Sequence, residues 1–321
     1  MIATTPQTSL VETEKQRIND LLASDEQSNA EFDSYYRQAM LTISDNLQKF
    51  YLNYADDTGL TLAQARRSVS HWDVAQWRRV LRQFDMTDWD DNAKFLAGKY
   101  SYDAGFNRIS MIDAIIGISL VDLTAKVQKH VEGRLSADFT SQQSHLKQVM
   151  DNYLDRSLFN PVYRKPIKIP AGKSIITQGE TTSLWSDRLW LNSEEMANDV
   201  QNLVNKHIRH GMSIDDLKGL LRGHANKAQF KPGQSVADRV KQMDYNASRL
   251  LRSESARIID EANTTTYEMA GVKMVEWVTE PGACDTCQNI ADNGPYVLAD
   301  APSIPGDTHL NCRCSKIPFL T

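Results

Sequence analysis

The chain has 321 residues, 41% of them hydrophobic, with a formal net charge of −5 and a mean hydropathy of −0.48. That is the composition of a somewhat polar globular protein long enough for two domains. No apolar run approaches the roughly 20 residues of a membrane span. Ile109–Leu123 comes nearest and is interrupted by Asp113 and Asp122.

The charge is unevenly spread. Residues 1–160 carry a net −5, residues 161–275 a net +4 and residues 276–321 a net −4. Met1–Leu10 is polar and uncharged, with no apolar stretch of the kind that opens an export signal. The expectation is therefore a reducing cytosol, where disulfides do not persist.

Residues 1–160 read as a helical domain. Helix formers dominate from Glu12 to about Tyr54, and Asp56-Asp57-Thr58-Gly59 ends the run. Thr61-x-x-Gln64 and Ser70-x-x-Asp73 have the spacing at which an N-cap hydroxyl and a third-position side chain satisfy each other's backbone amides. After Ser70, the positions Trp72, Ala75, Val80 and Phe84, flanked by Trp77 and Leu81, suggest buried faces. Ile109, Ile112, Ile116, Leu120, Leu123, Val127 and Val131 recur every three or four residues, which predicts a helix with a core-facing stripe. A further helix is expected from about Ser136 to Phe159.

Pro161, Pro166, Pro170 and Gly172 exclude a long helix over residues 161–185, read here as a linker or hairpin. Gly172-Lys173-Ser174 resembles the end of a phosphate-binding loop, but Ile167 stands where that loop needs glycine, so nucleotide binding is rejected.

Residues 186–321 form the second part. Asn192-x-x-Glu195 has capping spacing, and Met196, Val200, Leu203, Val204 and Ile208 supply an apolar face before Gly211. Ser213-x-x-Asp216 opens a short helix closed by Gly223. A polar loop, His224–Gly233, precedes a long helix from Ser235 to about Ala270, ended by Gly271. Val272–Thr279 alternates as a strand does, and Pro295–Leu298 is a short candidate partner. The fold class expected is mainly α, with a small α+β C-terminal lobe.

All four cysteines lie in that lobe, in Cys284-Asp285-Thr286-Cys287 and His309-Leu310-Asn311-Cys312-Arg313-Cys314. Three chemistries compete for them. A structural zinc site needs four N or S ligands, and a CxxC turn supplies two thiolates from one loop. A disulfide framework needs an oxidising compartment. A thioredoxin-like pair normally opens a helix after a strand in a βαβ unit, whereas Pro281-Gly282 and Asp292-Asn293-Gly294-Pro295 predict loops on both sides. Zinc is the preferred reading, with unmetallated thiols as the alternative. Cys284, Cys287 and Cys312 are the firmest ligands. His309 is preferred to Cys314 as the fourth, because Cys312 and Cys314 would point apart in an extended segment. A fully ligated site of this kind is structural.

An ordered string surrounds this cluster: Arg252-Ser253-Glu254 with Arg257, then Asn263, Tyr267, Ala270-Gly271-Val272-Lys273, Glu276-Trp277, the CxxC pair and the HxNCRC ending. With it, the chain resembles the phage Mu F-like minor head proteins of the head morphogenesis family over roughly residues 160–321, Ser186-Asp187-Arg188-Leu189-Trp190 included. Leu310 stands where the family's ending has proline, which relaxes the backbone and removes no ligand. The resemblance implies a non-enzymatic capsid component of a tailed phage or prophage. It would act in procapsid assembly in the host cytoplasm and lie in the virion head near the portal protein. Major capsid or scaffolding protein and packaged DNA are further candidate partners. Some relatives carry fused toxin or nuclease domains beyond the HxNCRC ending; only Ser315–Thr321 follows it here.

Other chemistry is weaker. There is no GxSxG elbow and no HExxH. His207 and His210 read as surface residues, and Glu254 as an ion-pair partner holding the long helix to the lobe. The basic excess offers Lys206, Arg209, Lys218, Arg222, Lys227 and Lys231 as candidates for non-specific, salt-sensitive DNA contact. A zinc-dependent DNA-binding protein is the alternative function.

Overall fold

A computed structural model describes residues 5–154, 185–223 and 235–320. Over these residues the protein is mainly α, with nine α-helices and a three-stranded sheet close to the C-terminus. The proposed linker 161–185 falls almost wholly outside them, as do the loop 224–233, Lys227 and Lys231.

The helices are α1 (Pro6–Tyr54), α2 (Leu62–Ala65), α3 (His71–Leu81), α4 (Asp91–Asp103), α5 (Arg108–Tyr153), α6 (Trp185–Arg209), α7 (Ile214–Leu221), α8 (Val236–Met269) and α9 (Asp285–Asp292). The contacts divide the chain into two compact units that do not follow the sequential partition. Unit 1 comprises Met1–Asn29, His130–Trp185 and Ser248–Thr321; unit 2 comprises Ala30–Lys129 and Ser186–Ala247. Helices α1, α5 and α8 each contribute residues to both.

Unit 2 is helical. Both expected N-terminal capping boxes form: the Thr61 and Ser70 hydroxyls accept from the Gln64 and Asp73 amides, and those side chains accept in return. The buried face of α3 is Asp73, Gln76, Trp77 and Val80; Ala75 is exposed. Trp77 and Val80 are buried as expected, while Trp72, Leu81 and Phe84 are half-buried; Asp73 was not expected in the face, where it accepts from the capping box, Tyr54 and Arg108. The Arg108 guanidinium lies 3.7 Å over the Tyr54 ring. The stripe from Ile112 to Val127 is buried core, as predicted. The two helices expected over 109–131 and 136–159 are one as far as Tyr153: no proline separates them, and the lone Gly133 is carried within the run.

Helix α6 begins at Trp185, so Asn192 lies inside it and caps nothing. A capping signature is a local preference that an amphipathic run can override. Ser213 does cap α7 with Asp216, and Gly211 ends α6 at φ +79°, where glycine has no Cβ penalty.

Asp113 on α5 accepts from Asn205 Nδ2 at 3.1 Å. Burial raises its carboxyl from the ordinary 3.8 to about 6, against the Asn205 bonds that lower it. A carboxyl whose folded value exceeds its unfolded one weakens the fold as pH rises through that interval. Asp113→Asn is therefore expected to raise the unfolding free energy at pH 7 by up to about 3 kcal/mol, read as a higher urea midpoint. It should change nothing at pH 3.5. An equal effect at both pH values would show that the charge is not the cause.

Unit 1 packs the first turns of α1, the second half of α5 and most of α8 around the sheet. The strands are β1 (Met274–Val278), β2 (Tyr296–Val297) and β3 (Ser315–Pro318), in the order β2-β1-β3 and antiparallel throughout. β1 and β2 match the expectation. β3 was not anticipated: its proline suits an edge strand, and all four residues are buried, so no alternation marks it. Leu10, Ile18, Val149, Val278 and Ile317 make one apolar cluster, and Leu146, Ala262, Tyr267, Val275 and Leu298 another.

Unit 1 also buries many polar groups, several of them bonded to one another. Glu14 meets His145 Nε2 at 2.7 Å, and Lys316 reaches Asp260 at 3.0 Å. Burial alone would raise the Glu14 carboxyl; the His145 bond and charge, with Ser315, outweigh it and lower it. No helix among the described residues is long and apolar enough to cross a membrane.

Candidate metal centre

The CxxC pair does not sit between loops. Gly282, at φ +72°, turns the chain after β1, and Cys284 becomes the N-cap of α9 with extended backbone. Its carbonyl accepts from Gln288 N at 3.0 Å. Cys284 is exposed, and Cys287, one turn in, is fully buried. The pair thus opens a helix after a strand. A βαβ unit is still absent here, because β1 and β2 are antiparallel.

The second knot is shaped by a turn. Cys312 N donates to the His309 carbonyl at 3.3 Å, and Asn311 takes φ +73°, a left-handed conformation that asparagine tolerates better than most residues. Asn311 N donates to Ser253 Oγ of α8 at 3.2 Å. Leu310 is half exposed. The expected obstacle to Cys314 is not met: the Cys312 and Cys314 sulfurs both approach Cys287.

Donor atoms lie within 4.8 Å of one another in three overlapping groups: Cys284 with Cys287 and His309, Cys287 with Cys312 and Cys314, and Glu280 with His309 and Cys312. The Cys287 and Cys312 sulfurs are 3.7 Å apart. A tetrahedron with metal–sulfur bonds of about 2.3 Å has edges of about 3.8 Å. His309 Nδ1 is 2.8 Å from the Leu310 carbonyl, so it carries the ring proton and Nε2 keeps its lone pair. That Nε2 is buried without a hydrogen-bond partner. A buried acceptor left unpaired is costly, and a cation would satisfy it. Cys314 Sγ, by contrast, accepts from Glu280 N at 3.5 Å. These Cys and His residues can therefore hold a metal ion.

Without an ion, the electrostatics divide the donors. The Cys287 and Thr286 amides at the start of α9 lower the Cys284 thiol. Hydrogen bonding from Cys314 lowers Cys312 to about 6. Burial and the neighbouring Cys312 push Cys287 up to about 12. Cys314 is raised by its bond to Cys312 and by burial. The Leu310 carbonyl raises His309.

Around the donors lies a shell of charge. Arg313, between Cys312 and Cys314, is 2% exposed. Its Nε and Nη2 donate to Asp25 of α1 at 2.8 and 2.5 Å, and its Nη1 to Ser255 at 2.8 Å. Its backbone N donates to Glu280 Oε1 at 2.9 Å. Arg252 bonds Glu280 at 2.6 Å and lies 3.7 Å from Asp25. Arg134 adds a third cation to Asp25, at 3.2 Å. Glu254 pairs with Arg257 along α8 at 3.0 Å, so the ionic ties from α8 to the lobe are Arg252–Glu280 and Asp260–Lys316 instead. Glu280 and Asp25 escaped the sequence reading. Glu280 lies four residues before Cys284 but in no metal motif, and Asp25 is 288 residues from its partner.

The candidate DNA contacts belong to unit 2. Lys206 and Arg209 are exposed at the end of α6; Lys218 reaches Asp215 at 3.5 Å, and Arg222 caps α7. His207 lies 3.7 Å from Asp216.

No protein-family model matches this chain, and neither a curated protein nor a solved structure matches it.

Proposed function

We propose that the protein is a minor head protein of a tailed phage or prophage, acting without turnover in procapsid assembly at the portal. Its C-terminal lobe is stapled by one structural zinc ion on Cys284, Cys287, His309 and Cys312, with Cys314 as the alternative to His309. With four N and S donors engaged, no coordination position remains for a substrate, so the ion supplies folding energy.

The observation that carries this reading is that residues of the ordered string hold the C-terminal lobe together. Ser253 holds Asn311, Arg252 holds Glu280, and Glu280 holds Arg313. Asn263 and Tyr267 reach the Lys316 carbonyl. Ser253–Asn311 joins two residues of the string directly, and the other contacts run through Glu280 and Lys316, tying α8 to β3 and the HxNCRC turn as a rigid assembly module requires. The exposed Lys206 and Arg209 support weak contact with packaged DNA, while Asp215 offsets part of that charge.

The test is co-expression with the portal protein encoded beside this gene, followed by sizing of the ring. Co-migration at a defined stoichiometry is expected. Clean separation at low salt would sink portal binding.

A further inference from the structure

We propose that Cys284 and Cys287 are a redox pair: a peroxide-class oxidant converts them to a disulfide, and the metal leaves. The inference rests on the zinc reading of the same centre and adds a regulation to it.

Three observations carry it. Cys284 is the exposed member of the cluster, whereas Cys287, Cys312 and Cys314 are buried. It stands at the N-cap of α9, and the Cys287 sulfur, one turn later, lies within 4.8 Å of its own. A solvent-facing thiol at a helix start with a second thiol in reach is the arrangement in which an attacking and a resolving cysteine cooperate. Finally, the cluster has five soft donors for four places. Losing Cys284 and Cys287 leaves at most three, and the ion is no longer enclosed.

The chemistry balances. The Cys284 thiolate attacks hydrogen peroxide; the O–O bond breaks, sulfur takes one oxygen as sulfenic acid, and hydroxide leaves as water after protonation. The Cys287 thiolate then attacks that sulfur. The S–S bond forms, the S–O bond breaks, and a second water departs. Two thiols lose two electrons, and one peroxide gains them.

The experiment uses the full-length protein, purified without chelator and titrated with hydrogen peroxide against a chromophoric zinc indicator. Free thiols are then alkylated, and the chain is cleaved before aspartate. Cleavage before Asp285, Asp292 and Asp307 places Cys284, Cys287 and the Cys312–Cys314 pair on three separate peptides. The expected result is zinc release in step with the loss of two thiols and a disulfide joining the Cys284 and Cys287 peptides, reversed by dithiothreitol and zinc. Thr286→Ser, at an exposed position that supplies no donor, should behave identically. Three results overturn the proposal: a disulfide joining Cys287 to Cys312, over-oxidised single cysteines with no cross-link, or zinc retained in peroxide that fully oxidises glutathione. That last outcome leaves the zinc reading standing. Zinc-free starting protein sinks the zinc reading instead, and the same peptide map then decides whether the thiols pair.

Discussion

Cys287→Ser is expected to abolish metal binding and to lower the unfolding midpoint by about 10 °C. A ligand held about a thousand times above its dissociation constant stabilises a fold by about 4 kcal/mol. Each kcal/mol is worth roughly 2–4 °C in a protein of 150–250 residues. Cys287 is also fully buried in the apolar cluster of Trp277, Ile304, Cys312 and Cys314, so serine would place a hydroxyl there in its stead. The measurement is zinc content beside a thermal melt. Wild-type protein stripped by chelator should melt as the variant does. A variant that keeps its zinc, or a stripped protein with an unchanged melt, would remove the metal from the account of stability. Thr286→Ser, at an exposed position inside the same motif, is the control and should change neither.

The second large effect concerns Asp25, and it should exceed that of its partner. Asp25→Ala leaves three guanidinium groups, of Arg134, Arg252 and Arg313, without their shared anion. Breaking a buried pair from one side costs about 3–5 kcal/mol, because the surviving charge stays buried. Arg313→Met is the milder change: Asp25 keeps Arg134 and Arg252, and methionine fills much of the vacated volume. Urea midpoints of the two variants should rank in that order. The reverse ranking would mean that Arg313 matters through the shape it gives the HxNCRC turn and not through its charge. Both variants are expected to bind zinc, since neither residue is a ligand.

Much of the helical architecture was legible from the chain. Capping boxes at Thr61, Ser70 and Ser213 and the stop at Gly211 are local signals, and each is satisfied by neighbours a few residues away. The Ile112–Val127 stripe was legible because period alone marks a buried helical face. Where a local signal met a longer amphipathic run, the run prevailed, as at Asn192. The split expected between residues 131 and 136 failed for the same reason. Strand β3 was hidden because both its faces are covered, which removes the alternation that identifies a strand.

The metal donors were legible as residue types at metal-ligand spacing. Their arrangement was not. Only the folded chain shows that Cys312 and Cys314 turn toward the same partner, and the burial of His309 Nε2 without a partner singles out that nitrogen. The helix at Asp285 was misread as a loop because Pro281-Gly282 and Asn293-Gly294-Pro295 lie close on either side, leaving only eight residues between turns.

By itself the sequence determined the chemistry available to this protein: a mainly helical chain with its soft donors gathered near one end. Only the tertiary structure decided that this end is built together with the beginning of the chain. Gln7 accepts from Leu320 N at 2.8 Å, and Asp25 meets Arg313 across 288 positions. Spacing along a chain encodes what a turn or a helix face brings together. Pairings at that separation are set by which buried charges find compensation once the helices have packed.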